Sequence, residues 1–521
     1  MSLVGFVGGL LAMLVLASPD AAASTAPADG RDEPLTSQPV PPLENPAVRP
    51  SRGEILVDAD AAPRPTDVTP RTVHGEARLG MSFGAVMQDP VLTIHPGLTL
   101  DLSERVPVRF SISAPLRLRM ADRAPDQDGV LRARDWDEAG DYLAVLDRFH
   151  YGEAFVFGDY GWVDVEVRAG ELSRMQLGHG SIVRGYANST DIDRRRTGLD
   201  ALARVEGRLR GQPAGAEFAV IAGDLAMRQP LGTRGAVDWA GVGLGLSLVG
   251  DPTAPRALAR DSDRPDAVVR AAAGRLRHEG QRGALALGAD LSYRVSDNWR
   301  YIVVPYLDAV FMPGLGAGGH LGTDVEFMLG RRRRVRLSAV AELTLGSASY
   351  DPDYFDLFYL AQRWQMQPVG TPDQRPDTLG DARLPKWAWV ADNDLSGVGG
   401  GGSVRFSHGV GVFVETGYRV RPGPLGHTFE SRVGVDHRSV SLSILLGHRG
   451  TRHGFDGARS GTIARVDARV PIIKYLEIIG GVGWLFALRT DTSLEPPAAS
   501  ETGLVTGAGF FTVGAAGRFP W

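Results

Sequence analysis

The sequence predicts an all-β fold: a transmembrane antiparallel β-barrel of about 20 strands, within a range of about 16–20. Three observations predict it. Apolar and polar residues alternate with period two from residue 73 to the end, in runs long enough to cross a bilayer as tilted strands. The connections between those runs are mostly short at one rim and long at the other, the asymmetry of a membrane barrel. The closing segment 507–521 is itself an amphipathic strand. Phe511, Val513, Ala515, Gly517, Phe519 and Trp521 share one face, and Thr512, Gly514, Ala516 and Arg518 share the other.

Taken in order, the chain opens with an apolar run from Leu3 to Ala17, then Ser18-Pro19-Asp20 and the small residues Ala21-Ala22-Ala23. This reads as a signal peptide, residues 1–23, cut after Ala23, although no Lys or Arg precedes the apolar core. The run falls short of the roughly 20 residues a membrane helix needs. Residues 24–72 are rich in Pro and Ala, with Pro39-Val40-Pro41-Pro42 at the centre, and bury too little apolar surface to fold. They read as a disordered segment, leaving 73–521 for the barrel.

Within the barrel region, Leu285, Leu287, Ala289, Leu291, Tyr293 and Val295 form one face of a strand, and Ala284, Ala286, Gly288, Asp290, Ser292 and Arg294 the other. The next apolar face is Tyr301, Val303, Pro305, Leu307, Ala309 and Phe311, with Pro305 its weak point because proline cannot donate to a ladder. Val163, Val165 and Val167 alternate with Asp164, Glu166 and Arg168 in the same way. Short turns are expected at 103–105, 169–170, 211–215, 296–299, 332–333, 408–411, 438–439 and 471–474. Long loops are expected at 121–151, 187–197, 347–397, 450–459 and 491–506. A long connection over 250–265 falls on the short-turn rim, an exception that widens the strand count. Trp299, Tyr301, Tyr418, Tyr475, Trp484, Phe519 and Trp521 sit near strand ends, as an interfacial girdle would.

A final amphipathic strand closing on an aromatic residue resembles the terminal strand of Gram-negative outer-membrane β-barrels, which their assembly machinery reads. Trp521 stands where such proteins usually carry Phe, and Pro520 departs from the pattern. The resemblance implies an outer-membrane location, periplasmic short turns and extracellular long loops. Leu177-Gly-His-Gly-Ser-Ile-Val-Arg-Gly-Tyr186, with Asn188 and the 191–196 run, is similar to phrases in uncharacterised outer-membrane proteins of GC-rich Gram-negative bacteria.

Composition limits the chemistry. The 521 residues include no cysteine, which excludes disulfides, thiolate metal sites, cysteine nucleophiles and a lipid-anchored amino terminus. A net charge of −5 gives no bulk attraction to nucleic acid. Positive charge is almost all Arg, with Lys only at Lys386 and Lys474.

Four constellations remain. The inward parity of the strands carries Arg109, Arg117, Arg119, Asp164, Glu166, Arg168, Asp200, Arg204, Glu206, Arg208, Asp290, Arg294, Asp308, Arg336, Glu342, Arg465, Asp467 and Arg469. Buried charge requires pairing or water, so these residues predict a wet lumen. Opposed rows of Arg and carboxylate would set up a transverse field, as in the constriction of general porins. The Asp-rich loop 121–151 is a solvated loop or a constriction loop. Its Asp126, Asp128 and Gly129 lack the later Glu of a calcium loop, so no metal is assigned. In 351–364, Asp353 is placed to cap a short helix with Leu357, Leu360, Ala361 and Trp364 on one face, a greasy segment that must bury itself in the barrel mouth or against a partner. His179 and Ser181 lie about 7 Å apart on one side of a strand, too far for a direct hydrogen bond. There is no Gly-x-Ser-x-Gly or His-Glu-x-x-His, so no catalytic residue is assigned. Arg331 to Arg336 is a solvated turn.

The reading is a porin-like channel for passive diffusion of small hydrophilic solutes or ions. It needs no cofactor or metal and binds no nucleic acid. Its partners are the outer-membrane bilayer, the solutes, and the barrel-assembly machinery through the strand ending at Trp521. The alternatives are a closed structural or adhesion barrel acting through its loops and, further off, an outer-membrane hydrolase. Oligomeric state leaves no mark in the sequence.

Overall fold

The computed structural model describes residues 74–520 apart from 87–88, 103–106, 122–129, 133–134, 137–138, 157–160, 191–195, 227–228, 259–277, 299–300, 330–334, 364–384, 410, 424–425, 438–439, 452–461 and 487–506. The expected signal peptide, the Pro/Ala-rich segment expected to be disordered, Trp299, Trp364, Trp521 and most of the 331–336 Arg run therefore lie outside the described residues.

Twenty antiparallel strands close into one barrel. The first five are β1 (His74–Val86), β2 (Asp89–Asp101), β3 (Val108–Ser113, resumed at Leu116–Arg119), β4 (Leu146–Val156) and β5 (Gly161–Gly170). Then come β6 (Gly198–Leu209), β7 (Gln212–Ala222), β8 (Leu231–Trp239), β9 (Val242–Leu258) and β10 (His278–Tyr293, resumed at Ser296–Asn298). The third quarter is β11 (Tyr301–Met312), β12 (Gly316–Leu329), β13 (Val335–Gly346), β14 (Gly397–His408) and β15 (Val412–Val420). The last is β16 (His427–His437), β17 (Val440–Thr451), β18 (Thr462–Ile473), β19 (Leu476–Phe486) and β20 (Gly507–Pro520). Each strand pairs with its sequence neighbour, and β20 returns to β1 from Glu76↔Pro520 to Val86↔Phe510, so no sheet edge is left open.

The pleat explains the alternation. On β1, Leu79, Met81 and Phe83 point outward and are half exposed, while Ser82 between them is buried. Phe511, Val513 and Phe519 repeat this on β20, and Leu244, Leu246 and Leu248 on β9. An apolar surface running round the whole wall is far more than a water-soluble monomer exposes, and it suits lipid. Tyr301, Tyr475 and Phe519 stand exposed toward the short-turn rim and Tyr418 and Trp484 toward the other, the positions of two aromatic girdles.

Turn chemistry fixes which rim is which. Arg210-Gly211 and Ala240-Gly241 both have positive φ at two consecutive residues (54° and 80°, 51° and 88°), the two-residue hairpin turn whose twist matches the strands. The first places the expected 211–215 turn one residue earlier. The second removes the expected exception: with a tight turn at 240–241 on the short-turn rim, β9 runs the other way to Leu258, and the connection before β10 belongs to the long-loop rim. The expected turn at 169–170 is also corrected. Gly170 pairs with Arg148 and Gly198 at the long-loop end of β5, so the connection from β5 to β6 belongs to the long-loop rim, and residues 157–160 between β4 and β5 lie outside the described residues. Gly170 resembled a turn because its φ of 115° suits glycine alone, yet that conformation ends the strand where the chain leaves the wall.

Pro305 is accommodated by a break in its neighbour. The β10 ladder to β11 covers Leu287–Ser292 and resumes at Ser296–Asn298, leaving the stretch facing Pro305 unpaired. A residue without an N–H thus loses no ladder bond.

Candidate functional site: a charged lumen beneath two in-folded loops

The first loop, 171–190, leaves β5 and turns into the lumen. Buried Asn188 ties its ends together: its Nδ2 donates to the carbonyls of Gly170 (3.0 Å) and Arg196 (2.8 Å), and its Oδ1 accepts from the Leu172 amide (2.8 Å). Between them the chain doubles back, with Met175 and Tyr186 bridged. Gly180 has φ of +94°, and a Cβ there would lie 2.5 Å from Arg184 Nε. Glycine at this position is what lets Arg184 fold back to donate to the carbonyls of His179 and Gly180.

The second loop is 347–396. Its Phe355-Asp356 pairs in parallel with Val183-Arg184 of the first, joining the two loops inside the barrel. Tyr350, Tyr354, Phe355, Leu357, Phe358 and Tyr359 are all fully buried. Tyr350, Tyr354, Phe355 and Tyr359 pack with Ile182, Val183 and Tyr186 against an apolar inner sector of the wall that includes Ile221, Val249, Ala286, Val310 and Met312, while Leu357 and Phe358 pack with Ala187 and Ile463. The expected burial of 351–364 is therefore met inside the barrel. The helix is not as expected: among the described residues only the short α1 (Tyr359–Gln362) forms here, its N-cap is Phe358, and Asp353 sits upstream with φ of 53°. Asp353 is drawn away by Arg419 and Arg184 and so cannot cap. Leu357 lies ahead of the helix in a different apolar cluster from Leu360. Later in the loop, α2 (Lys386–Asp392) buries Trp389 and Val390.

The opposite inner sector is charged and meets the acids of the second loop. Asp351, Asp353 and Asp356 are at most 1% exposed. Arg449 reaches Asp351 and Asp356 at 2.9 Å each, Arg421 reaches both, and Lys386 reaches Asp351 at 3.0 Å. Burial pushes the Asp351 carboxyl up, but the three cations beside it hold it well below the usual carboxylate range. For Lys386 burial wins, and its pKa falls to about 8. Asp251 on β9 holds the other flank through Arg363 (2.6 Å) and the Tyr359 hydroxyl (2.6 Å).

The first loop is anchored likewise. His179 pairs with Asp308 at 2.9 Å and stacks on Tyr306 at 4.1 Å; burial opposes its charge, yet the Asp308 contact raises its pKa. Arg184 meets Glu342 at 2.6 Å, and Glu342 also accepts from the Tyr306 hydroxyl and joins His320, which contacts Tyr350. Arg174 meets Glu415 at 2.6 Å, and Arg432 donates to the carbonyls of Ser173 and Gly185. These anchors run from β11 to β16, so the loop bridges the lumen from wall to wall.

Beneath the loops is a polar cavity of about 80 Å³. Arg174, His179 and Arg184 of the first loop line it together with Asp324, Arg405, Glu415, Arg419, Glu430 and Arg432 of the wall.

The sequence-predicted lumen residues are distributed differently from expectation. Asp308, Glu342 and Arg465 hold the loops. Arg109–Asp101, Arg168–Asp200, Arg204–Glu217 and Arg336–Glu326 pair between adjacent strands, and Asp290 on β10 reaches Arg234 on β8 across β9. Charges meet their nearest cross-strand partners, about 5 Å away along the sheet; the expected rows facing each other across open water are not what these pairs form. Glu166 contacts Arg168, Arg465 contacts Asp467, and Arg117 pairs with Asp135. Arg119 is buried in the wall beside Arg117. Asp164 and Glu206 stand on the inward parity of β5 and β6, Arg294 follows β10, Arg208 is exposed at the short-turn end of β6, and Arg469 lies on β18. None of these borders the cavity. The described part of the 121–151 loop pairs its Leu131 with Leu118 at the inner end of β3, and β4 already begins at Leu146.

Sequence reading missed Arg174, Arg405, Glu415, Arg419, Glu430 and Arg432. The wall members of this set were available from alternation on β14, β15 and β16. Arg174 was not, because it belongs to a loop read as a strand. Among the described residues, no group of three or more His, Asp or Glu is arranged to hold a metal ion.

No family model matches the chain, and no curated protein matches it. Solved structures similar to it include the siderophore receptor PirA from Pseudomonas aeruginosa, at 12% identity over 88% of this chain and 81% of that one, with a TM-score of 0.32. A mutant ferric enterobactin receptor, PfeA, from Pseudomonas aeruginosa in complex with enterobactin matches at 11% identity over 87% and 82%, with a TM-score of 0.31. A mutant Rh. blastica porin matches at 10% identity over 71% and 100%, with a TM-score of 0.28. The barrel assignment itself stands on the strand register and its closure.

Proposed function

We propose that the protein is an outer-membrane channel for passive diffusion of small hydrophilic solutes or ions, narrowed by its own two loops. The observation that carries this reading is the polar cavity in a lumen whose wall is charged, since a cavity lined by charge suits water and small hydrophilic solutes. The short-turn rim would face the periplasm and the long loops the exterior, with the outer-membrane bilayer against the apolar wall and the assembly machinery engaging β20. The chain carries no covalent chemistry in this reading: His179 is committed to Asp308 and Tyr306, so it is not poised to activate Ser181.

A closed structural or adhesion barrel is the second reading, favoured by the wall-to-wall bridging of the loops. Refolding the protein into a planar bilayer separates them. Stable current steps with measurable ion selectivity support the channel; a folded, heat-modifiable barrel that passes no current supports the closed scaffold.

A further inference from the structure

Three guanidinium groups converge at one corner of the lumen cavity: Arg174 from the first loop, Arg405 from β14 and Arg432 from β16. Two carboxylates, Glu415 and Glu430, line the same corner, leaving an excess of one positive charge. Burial brings the Arg174 guanidinium down to about 10 against the pull of Glu415, with smaller contributions in the same direction from the charges of Arg405 and Arg432. Arg432 spends its terminal nitrogens on two neutral carbonyl oxygens, of Ser173 and Gly185, and these do not offset its charge.

The donors Arg174 Nη1 and Thr428 Oγ1 at the cavity wall, and with them the acceptor Glu415 Oε2, are buried without a hydrogen-bond partner among the described residues. A buried donor left in this state costs about 1–3 kcal/mol, more when charged. The chemistry that satisfies a guanidinium edge is a planar oxyanion, which accepts two hydrogen bonds from the fork while cancelling its charge. The cavity's 80 Å³ limits that oxyanion to a small one, since it is about half the roughly 150 Å³ of a cavity that takes up benzene.

We infer that this corner is a binding site for a small carboxylate, of formate or acetate size, held by Arg174 with Arg405, Arg432 and Thr428. The site makes the barrel selective for small anions. This rests on the channel reading only in that the solute arrives through the lumen; the binding itself does not depend on conduction.

The test uses the full chain, folded in detergent and in bilayers, with sodium formate as probe. Formate carrying a carbon-13 label is titrated against the protein and its line broadening followed. Saturable binding is expected, weakened about tenfold in Arg174→Gln and in part restored in Arg174→Lys, which keeps the charge and loses the fork. Thr428→Val, a wall change of nearly equal volume, provides a second reading if the loop variant misfolds, and should weaken binding by a few-fold. In bilayers, a chloride-to-potassium permeability ratio of roughly three or more should fall toward one in Arg174→Gln. Saturable formate binding without current overturns the channel and keeps the site. Current with cation preference, or formate binding that is absent or indifferent to both substitutions, overturns the site.

Discussion

Asp351→Asn should unseat the second loop without unfolding the barrel. Asp351 is 0% exposed and uses both carboxylate oxygens: Oδ1 accepts from Arg421 and Arg449, and Oδ2 from Arg449 at 2.9 Å and Lys386 at 3.0 Å. Asparagine keeps the shape but removes the charge, and turns an amide donor toward groups that can only donate. Arg421, Arg449 and Lys386 would then share the carboxylates of Asp356 and Asp353. Removing one member of a buried ion-pair network costs about 3–5 kcal/mol, which at 1.4 kcal/mol per decade raises the unseated population by a factor between about 10² and 4 × 10³. The barrel ladder is untouched, because 351 lies in no wall strand. The chain supplies its own reporter. Its only lysines are Lys386, fully buried beside Asp351, and Lys474, exposed in the turn between β18 and β19. A lysine-specific protease acting on the folded protein should cut at Lys474 at the same rate in both proteins. It should cut at Lys386 only through the unseated state, at a rate that follows its population. Equal cleavage at Lys386 in wild type and Asp351→Asn, with the Lys474 rate unchanged, would refute the claim that this ion-pair knot holds the loop.

The same knot and its neighbour set opposite pH limits. Asp351 is held below its ordinary value, so the stability it lends is present above about pH 4, the unfolded value, and is lost as pH falls toward its folded value. His179 is raised, so its contribution is complete below about pH 6.5 and is lost as pH rises through the folded value. Hydrogen exchange should therefore show 351–363 loosening on the acid side and 177–184 on the alkaline side. Gly180→Ala puts a methyl 2.5 Å from Arg184 Nε at a φ of +94°, a strain of about 1–3 kcal/mol; cleavage at Lys386 should quicken about tenfold, since the two loops are paired. Leu246→Arg places a charge on the lipid face at a site 69% exposed; reversible folding into lipid vesicles should lose about 2–4 kcal/mol, and no loss would mean that this face does not meet hydrocarbon.

The wall was legible in the sequence because one physical rule governs each residue of it. A strand between lipid and lumen must alternate, so Leu285 to Tyr293 and Phe511 to Phe519 declare both strand and face from residue type alone. The turn at 240–241 was not legible: its Ala-Gly pair lacks the Asn or Asp that usually marks a two-residue hairpin, and its left-handed geometry is imposed by the strands on either side. The loops were harder still. Residues 177–186 combine small, apolar and charged residues without a period, because their partners are spread over strands as distant as β11 and β16. No local pattern encodes a contact between residues 129 positions apart.

The two halves of the lumen explain why the loops can fold inward at all. Against the apolar sector, burial of Tyr350, Phe355 and Tyr359 provides a non-directional gain, worth about 1.5–3 kcal/mol for each large side chain. Taken alone, that gain would let the segment slide along the wall. Against the charged sector, each acid of the 351–356 run has a fixed guanidinium partner on β15 or β17 or just beyond their ends, which selects one seating but carries a heavy desolvation cost. Apolar contact supplies affinity and the ion pairs supply register. A loop held only by the first would close the lumen indiscriminately, and one held only by the second would not stay in. With both, a polar cavity survives beneath a defined roof, and Arg174 is delivered to that cavity by a loop that could otherwise have stayed outside the barrel.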